Sequence, residues 1–431
     1  VTPRPAAPST PASTVPLVLA THATRRPLSI SLAVAESVLA GQTTNWSALG
    51  DVAGRLVLDR SSAALSAAQK SRAVLAVAPA TRVGPGVSAV LVDGVDPLRD
   101  PARYPLRVPG SGQPAQVTTV SVVGDIMLAR RVGASLGGDF ARPLRPTAPR
   151  LAAADLTIGN LESTLSRLGP RTQGDDSFGA DPRVLAGLKL AGFDVVSLGN
   201  NHVGDYGLES LTVTQRLLHR GGFATVGAGA SLADAWRPAV IARDGVRFGI
   251  VAFNAIGETP RASTRPGAAS VRMEPRTGPL NASDVARLRT TIASLRPSVD
   301  VVLVVPHWGT QYTHSPVPDQ RTVARAAIDA GADLVVGGHP HWVQGVEVYK
   351  GRFIVHSLGN FVFDMDWEDE VREGLVLELT YWGPALKSMR FVPYRIATNS
   401  DFAPRFVSWE NGGSEILSDL WSTSGPPFSL R

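Results

Sequence analysis

The chain has 431 residues, 44% of them hydrophobic and 18% charged, a composition that excludes intrinsic disorder and a single small core, so two domains are expected. Its net charge of +5 is carried by scattered arginines with no run longer than two, which argues against a nucleic-acid-binding arm. It contains no cysteine, which rules out disulfides, thiolate metal sites and cysteine nucleophiles and fits an exported protein; no apolar run reaches the roughly 18 residues needed to span a bilayer.

Residues 1–15, "VTPRPAAPSTPASTV", offer almost nothing to bury and predict a solvated tether. Tethers of this kind join an export signal or lipid anchor to a folded domain. The first residue is Val, so a leading segment is expected to have been removed. The expected location is extracytoplasmic, either secreted or anchored at the cell envelope. Residues 16–110 predict a small α/β module. Within it, "VPLVLAT" and "AVLAVAPA" read as buried strands, and "SISLAVAESVLAG" as a helix with Leu32, Val34, Val38 and Leu39 apolar and Gly41 as its stop. The following "QTTNWSALG" and the later "LVDGVDPLRDPARYPLRVP" resemble pieces of the phosphate-type periplasmic solute-binding proteins. That resemblance leaves both a packing module and a ligand-binding role open.

"GSGQPAQ" at residues 110–116 predicts a linker. From 117 to about 400 a new rhythm begins, and residues 401–431 are set apart as a C-terminal tail. "VTTVSVVGD", "FDVVSLGNNH", "VDVVLVVPHWG" and "ADLVVGGHPH" are apolar runs that end in polar clusters, separated by amphipathic stretches such as "DVARLRTTIASL", with Val285, Leu288, Ile292 and Leu295 on one face. This is the pattern of an α/β domain with buried sheets, whose ligand sites lie beyond the strand ends.

The polar clusters deliver Asp125, then Asn160 with Glu162, then Asn200, Asn201, His202 and Asp205, then His307, then His339 and His341. Singly each has an ordinary reading as a helix cap, a turn residue or a core histidine. Together Asp125, Glu162, Asn201, His307, His339 and His341 form a nitrogen and oxygen donor set without thiolate, suited to one or two divalent ions of Mn, Zn or Fe. Pro340 stiffens the loop between the paired imidazoles, and Gly337 and Gly338 permit a sharp turn.

The successive motifs "VGDIML", "GNLES", "GNNHVGDYG", "PHWGTQY" and "GADLVVGGHPHWVQGVEVYKGRFIVHSLGNFVFD" resemble those of the CapA family of capsule (poly-γ-glutamate) synthesis proteins, within the calcineurin-like metallophosphoesterase superfamily. The resemblance implies a metallophosphoesterase-like β-sandwich flanked by helices, with a two-metal site at the strand ends. It places Asp125 and His341 on the first metal, Glu162 as the bridge, and Asn201, His307 and His339 on the second. It makes His202 the general acid or transition-state stabiliser. The superfamily's first motif usually reads Asp-x-His, whereas Ile126 and Met127 follow Asp125 here, which leaves the first metal one ligand short. Asp205 and Asn360 are expected to orient the imidazoles, with His356 behind them, while Trp308 and Trp342 are expected to flank the mouth.

Three functions follow as expectations. One is a metal-dependent hydrolase acting on an anionic envelope polymer or its precursor. Another is a non-catalytic assembly factor that works with membrane-bound polymer-synthesis machinery. The third is a solute sensor built on the first module. No nucleic-acid partner is expected.

Overall fold

A computed structural model of the chain describes residues 13–398 and 400–430. The tether expected over 1–15 falls mostly outside these residues; Thr14 and Val15 already belong to the strand Thr14–His22. The chain divides into two compact units. Among the described residues, those up to Val117 with Ala385–Ser388 form the first, and Thr118–Pro384 with those from Met389 onward form the second. Among the described residues no helix is long and apolar enough to cross a membrane.

In the first unit, Val57–Asp59, Val74–Pro79, Thr14–His22 and Val87–Ala89 pair in that order, and Arg107–Pro109 also pairs with Thr14–His22. The helix Leu32–Leu39 begins at Ser31, whose hydroxyl accepts from the Val34 N–H at 3.3 Å, and it buries Ala35 and Val38. In the Asn-Trp-Ser motif, Asn45 Oδ1 accepts from the N–H groups of Ser47 (3.0 Å) and Gly54 (3.1 Å). Trp46 lies in the core under the Arg25 guanidinium at 3.6 Å. These residues cap a turn and anchor a core.

The second unit is built on two mixed sheets. In one, Ala224–Val226, Val195–Ser197, Leu156–Leu161 and Thr118–Ile126 run parallel; Glu373–Trp382 continues the sheet antiparallel, and Asn360–Val362 pairs with the end of Thr118–Ile126. In the other, Val246–Asn254, Val301–His307, Leu334–Val336 and Arg352–Leu358 run parallel, with Ala239–Arg243 and Val343–Tyr349 as antiparallel edges. Every residue of Val301–His307 is buried. That is why its sequence is a valine-rich apolar run and not an alternation. The sheets pack on each other, Phe248 meeting Tyr381 edge-on at 5.4 Å. The helix Ala282–Leu295, capped by Asn281 Oδ1 accepting from the Asp284 N–H at 3.0 Å, shares a core with the second sheet through Leu288, Ile292 and Leu295. The helix Gly207–Arg220 does the same for the first sheet through Leu211 and Leu218. This is the helix-flanked β-sandwich that the resemblance implies.

The expected C-terminal tail, over its described residues 401–430, carries regular structure. Pro404–Phe406 adds a strand to the first sheet, and the helix Ser414–Ser422 packs on Val343–Tyr349. Ile416, Leu417, Leu420 and Trp421 recur at helical spacing and are buried, with Phe428 stacked on Trp421 at 5.7 Å.

Candidate metal centre

The candidate residues converge because parallel strands from both sheets end on the same side. Asp125 is in register with Asn160 in the first sheet, Asn254 with His307 in the second, and His307 bridges to Gly338. A Cβ on Gly338 would stand 2.5 Å from Asp125 Oδ1, so only glycine lets this backbone approach the carboxylate. His339 and His341 both adopt left-handed backbone, with φ of 93° and 61°. Non-glycine residues hold such conformations at a cost of about 1–3 kcal/mol each, and they cluster at functional sites. The strain turns both imidazoles inward, their ring centroids 5.6 Å apart.

Asp125 is fully buried. It accepts from Asn160 Nδ2 at 2.8 Å and from the His339 N–H at 2.9 Å, and Asn200 Nδ2 donates in turn to Asn160 Oδ1 at 2.9 Å. His307 Nδ1 lies 3.7 Å from Asp125 Oδ1, while its Nε2 lies 3.5 Å from Glu162 Oε1 and 2.9 Å from Asn201 Oδ1. His341 Nδ1 donates to Asn360 Oδ1 at 2.8 Å, and its Nε2 lies 3.3 Å from Gln311 Nε2. His202 Nδ1 is 2.8 Å from Asp205 Oδ2, its Nε2 is 3.8 Å from Glu162 Oε1, and its ring stacks on Phe178 at 3.8 Å.

Two groups of ligand atoms each lie within 4.8 Å of one another: Asp125, Glu162 and His307, and Glu162, His339 and His341. Glu162 is common to both, the position the resemblance gives the bridge. The histidines divide differently from its scheme, although His341 Nδ1 remains 4.0 Å from Asp125 Oδ2. Both oxygens of Glu162 and both ring nitrogens of His339 are buried without a hydrogen-bond partner. A buried carboxylate lacking a compensating partner costs several kcal/mol, so this donor set fits a divalent cation.

Electrostatics agrees with that fit. Burial pushes the Asp125 and Glu162 carboxyls up to about 7, with repulsion from Glu162 adding for Asp125, while for Glu162 His202 opposes the rise and Asp205 adds to it. Burial also lowers His307 to about 4 and His341 to about 3, and holds His339 well below the ordinary histidine range. The imidazoles are therefore neutral, the form that ligates metal.

Not every expected residue lies at the cluster. Trp308 is wholly buried in the core of the second sheet, donating to the His356 carbonyl at 3.0 Å, and so does not flank the mouth. Along a strand, side chains alternate, so the residue after His307 points to the opposite face. Trp342 is half-buried, its N–H donating to Glu368 at 2.9 Å. His356 sits 3.6 Å from Glu347, away from the donor set. The aromatics at the mouth are Tyr312, 39% exposed and stacked on His341 at 5.9 Å, and Trp367, 57% exposed and edge-on to Tyr312. Sequence reading also missed Gln173, whose Nε2 donates to the Asn201 carbonyl (3.0 Å) and to Asp205 Oδ1 (2.5 Å). It missed Phe178 as well; neither residue stands at a strand end.

The family model "Bacterial capsule synthesis protein PGA_cap" matches residues 119–365, a span that contains every candidate residue from Asp125 to Asn360. The chain is 32% identical over 258 residues to the capsule biosynthesis protein CapA of Bacillus anthracis, covering 58% of this chain and 60% of that one, under two thirds of the relative's length. It is 30% identical over 334 residues to a "probable polyglutamine synthesis accessory protein" of Mycobacterium tuberculosis, covering 73% of this chain and 86% of that one. The solved structure of a hypothetical protein from Thermus thermophilus overlays with a TM-score of 0.41 at 17% identity, covering 64% of this chain and 99% of that one.

Proposed function

The chain belongs to the bacterial capsule synthesis protein family, and from that premise we propose that it is a metal-dependent, phosphoesterase-like hydrolase serving synthesis of an anionic envelope polymer of the poly-γ-glutamate type. The observation that carries the reading is the pair of unpartnered, fully buried ligands, Glu162 and His339, inside a ring of neutral imidazoles. Asp125, Glu162, Asn201, His307, His339 and His341 would hold one or two divalent ions of Mn, Zn or Fe. Such an ion, when bound, supplies Lewis-acid polarisation of a phosphoryl or carbonyl oxygen.

The protein's own groups supply the rest. Asn160 and the His339 N–H fix the Asp125 carboxylate, and Asn360 fixes the tautomer of His341. His202, oriented by Asp205 and stacked on Phe178, presents Nε2 toward Glu162, placed to give a proton to a leaving oxygen. The tether-like N-terminal composition supports action outside the cytoplasm, beside membrane-bound polymer-synthesis machinery.

A second reading, a metal-binding assembly factor without turnover, has one observation in its favour. Met127, in the place of the second ligand of Asp-x-His, is buried apolar packing and leaves the first site short of a donor. A sensor role for the first unit has less support, since Asn45 and Trp46 are engaged in a cap and a core.

Elemental analysis combined with assays on an aryl phosphomonoester and an aryl phosphodiester separates these readings. The hydrolase reading expects bound transition metal, metal loss in His341→Ala, and in His202→Ala a kcat lowered by roughly 10²–10⁴ with metal retained. Metal without turnover on either ester selects the assembly factor. Absence of metal, with neither substitution affecting hydrolysis, overturns both.

A further inference from the structure

Arg130 stands at the rim of the metal centre in a conformation that its own sequence does not favour. Its φ is 46°, in the left-handed region, where an arginine is strained and a glycine is not. The surroundings hold it there. Asp364, a buried carboxylate that follows "FVF" in the last matched motif, accepts from Arg130 Nε at 3.2 Å and from the Arg131 N–H at 3.0 Å, and also pairs with Arg130 Nη2. The guanidinium lies 4.5 Å from the centroid of Phe178, the same ring that stacks on His202. It also lies 5.9 Å from the centroid of Phe363, whose ring meets His341 edge-on at 5.0 Å.

One edge of this guanidinium has no buried partner. Nη1 is held by Asp176 at 2.9 Å, and the Asp176 side chain is 75% exposed in the short turn Gly174–Asp176. Exposed pairs of this kind are weak, whereas a phosphate or carboxylate meeting a fixed guanidinium forms a stronger, charge-assisted bond. An incoming oxyanion therefore displaces Asp176. A strained backbone, a buried carboxylate clamping one face and a weakly held outer edge together describe a preorganised anion receptor.

We propose that Arg130 recognises an oxyanion of the substrate, presenting its Nη1 edge to a phosphate or carboxylate group seated beside the metal centre, with Asp364 as its positioning clamp and Asp176 as a displaceable occupant. The inference rests on the reading of the donor cluster as a substrate site, and it deepens that reading by assigning a negatively charged group to the substrate next to the reacting bond. Arg130 is thus a specificity-determining residue, and the substrate class is an anionic ester or a polymer bearing free carboxylates.

The test is calorimetric titration of the Mn²⁺-loaded full chain with two probes, inorganic phosphate and a γ-linked glutamate trimer. Metal content and the thermal unfolding midpoint are measured beside each titration. Arg130→Gln is expected to weaken binding of the probe that the wild type takes up by about tenfold or more with metal content unchanged, and Arg130→Lys to lose less, keeping charge without the fork. Asp176→Asn, a change at an exposed side chain, is expected to tighten binding about two- to fivefold by freeing Nη1. Uptake of phosphate alone assigns the oxyanion to a phosphoester, and uptake of the trimer alone to polymer carboxylates. Unchanged affinity in Arg130→Gln, or no uptake of either probe by the wild type, overturns the proposal. If Arg130→Gln does not fold, Asp176→Asn decides, since unchanged affinity there is incompatible with a displaceable occupant. Binding is read without turnover, so failure of the hydrolase reading leaves this result standing.

Discussion

Glu162 and Glu347 are both buried glutamates of the second unit beside a histidine ring, 3.8 Å from His202 Nε2 in the first case and 3.6 Å from His356 Nε2 in the second. Their carboxylates nevertheless behave in opposite ways. Glu347 is answered by Arg325 at 2.6 Å and Arg321 at 2.8 Å, one helical turn apart on Pro318–Asp329. Burial pushes its carboxyl up, but His356, Arg325 and Arg321 outweigh that and hold it at about 2. Glu162 has no cation within reach of a hydrogen bond, and burial leaves it at about 7. The same residue types therefore make a finished structural pair in one place and an unfinished donor set in the other. What separates them is the supply of arginine from a neighbouring helix. A carboxylate–histidine cluster is informative about ligands only when its charge is left uncompensated.

The largest effect that would sharpen this contrast is expected in Glu162→Gln. The amide removes the charge common to both ligand groups, so metal affinity should fall by two orders of magnitude or more, while the metal-free protein keeps or gains stability because a buried unpaired charge is gone. Elemental analysis and unfolding of chelated protein read the two halves. A metal-free form markedly less stable than wild type would place Glu162 with Glu347 among the structural pairs. A smaller loss, about 10–100-fold in affinity, is expected in Asn360→Ala, which removes the acceptor that orients His341 while leaving every ligand in place.

Protons provide a third way to break the contrast. Asp125 and Glu162 have folded pKa values raised to about 7 from ordinary carboxylate values of 3.8 and 4.5. The sign is that of a raised pair: in metal-free protein the stability they contribute is present below about pH 4 and is lost as pH rises through 7. A cation reverses this by pairing with the ionised form. The rise in unfolding midpoint on adding Mn²⁺ should therefore grow from pH 5.5 to 8, and a Mn²⁺ shift independent of pH would count against these carboxylates as ligands.

Much of this site was legible in the chain because its ligands sit where apolar runs stop. Asp125 and His307 lie at the ends of the largely buried strands Thr118–Ile126 and Val301–His307, and His339 and His341 follow the buried Leu334–Val336; such strands announce themselves by apolar runs. The clamp between Arg130 and Asp364 was not legible, since it joins residues 234 positions apart. Nor was the burial of Trp308, which depends on the face its position in the strand assigns it. The helix Ser414–Ser422 was visible in principle through the spacing of Ile416, Leu417, Leu420 and Trp421, but it follows irregular chain that reads as an ending. The arginines that neutralise Glu347 belong to a different element, so "GVEVYKGRFIVH" shows a glutamate and a histidine without showing what pairs with them.

Glu347→Gln should produce the smallest change and the opposite kind. It breaks a pair whose arginines are 38% and 47% exposed, so the loss is expected to be about 1–2 kcal/mol of folding stability, below the range for a fully buried pair, with metal content untouched. Its pH dependence is also inverted. A folded pKa held at about 2, against 4.5 for a free glutamate, contributes stability that is complete above about pH 4.5 and disappears as pH falls toward 2. Wild type and Glu347→Gln should therefore differ in denaturant midpoint at pH 7 and converge near pH 2 to 3, in chelator throughout so that the metal centre does not contribute. If the two proteins keep a constant gap down to pH 2.5, the arginines are not what holds Glu347 ionised, and its difference from Glu162 would have to lie in packing instead of charge.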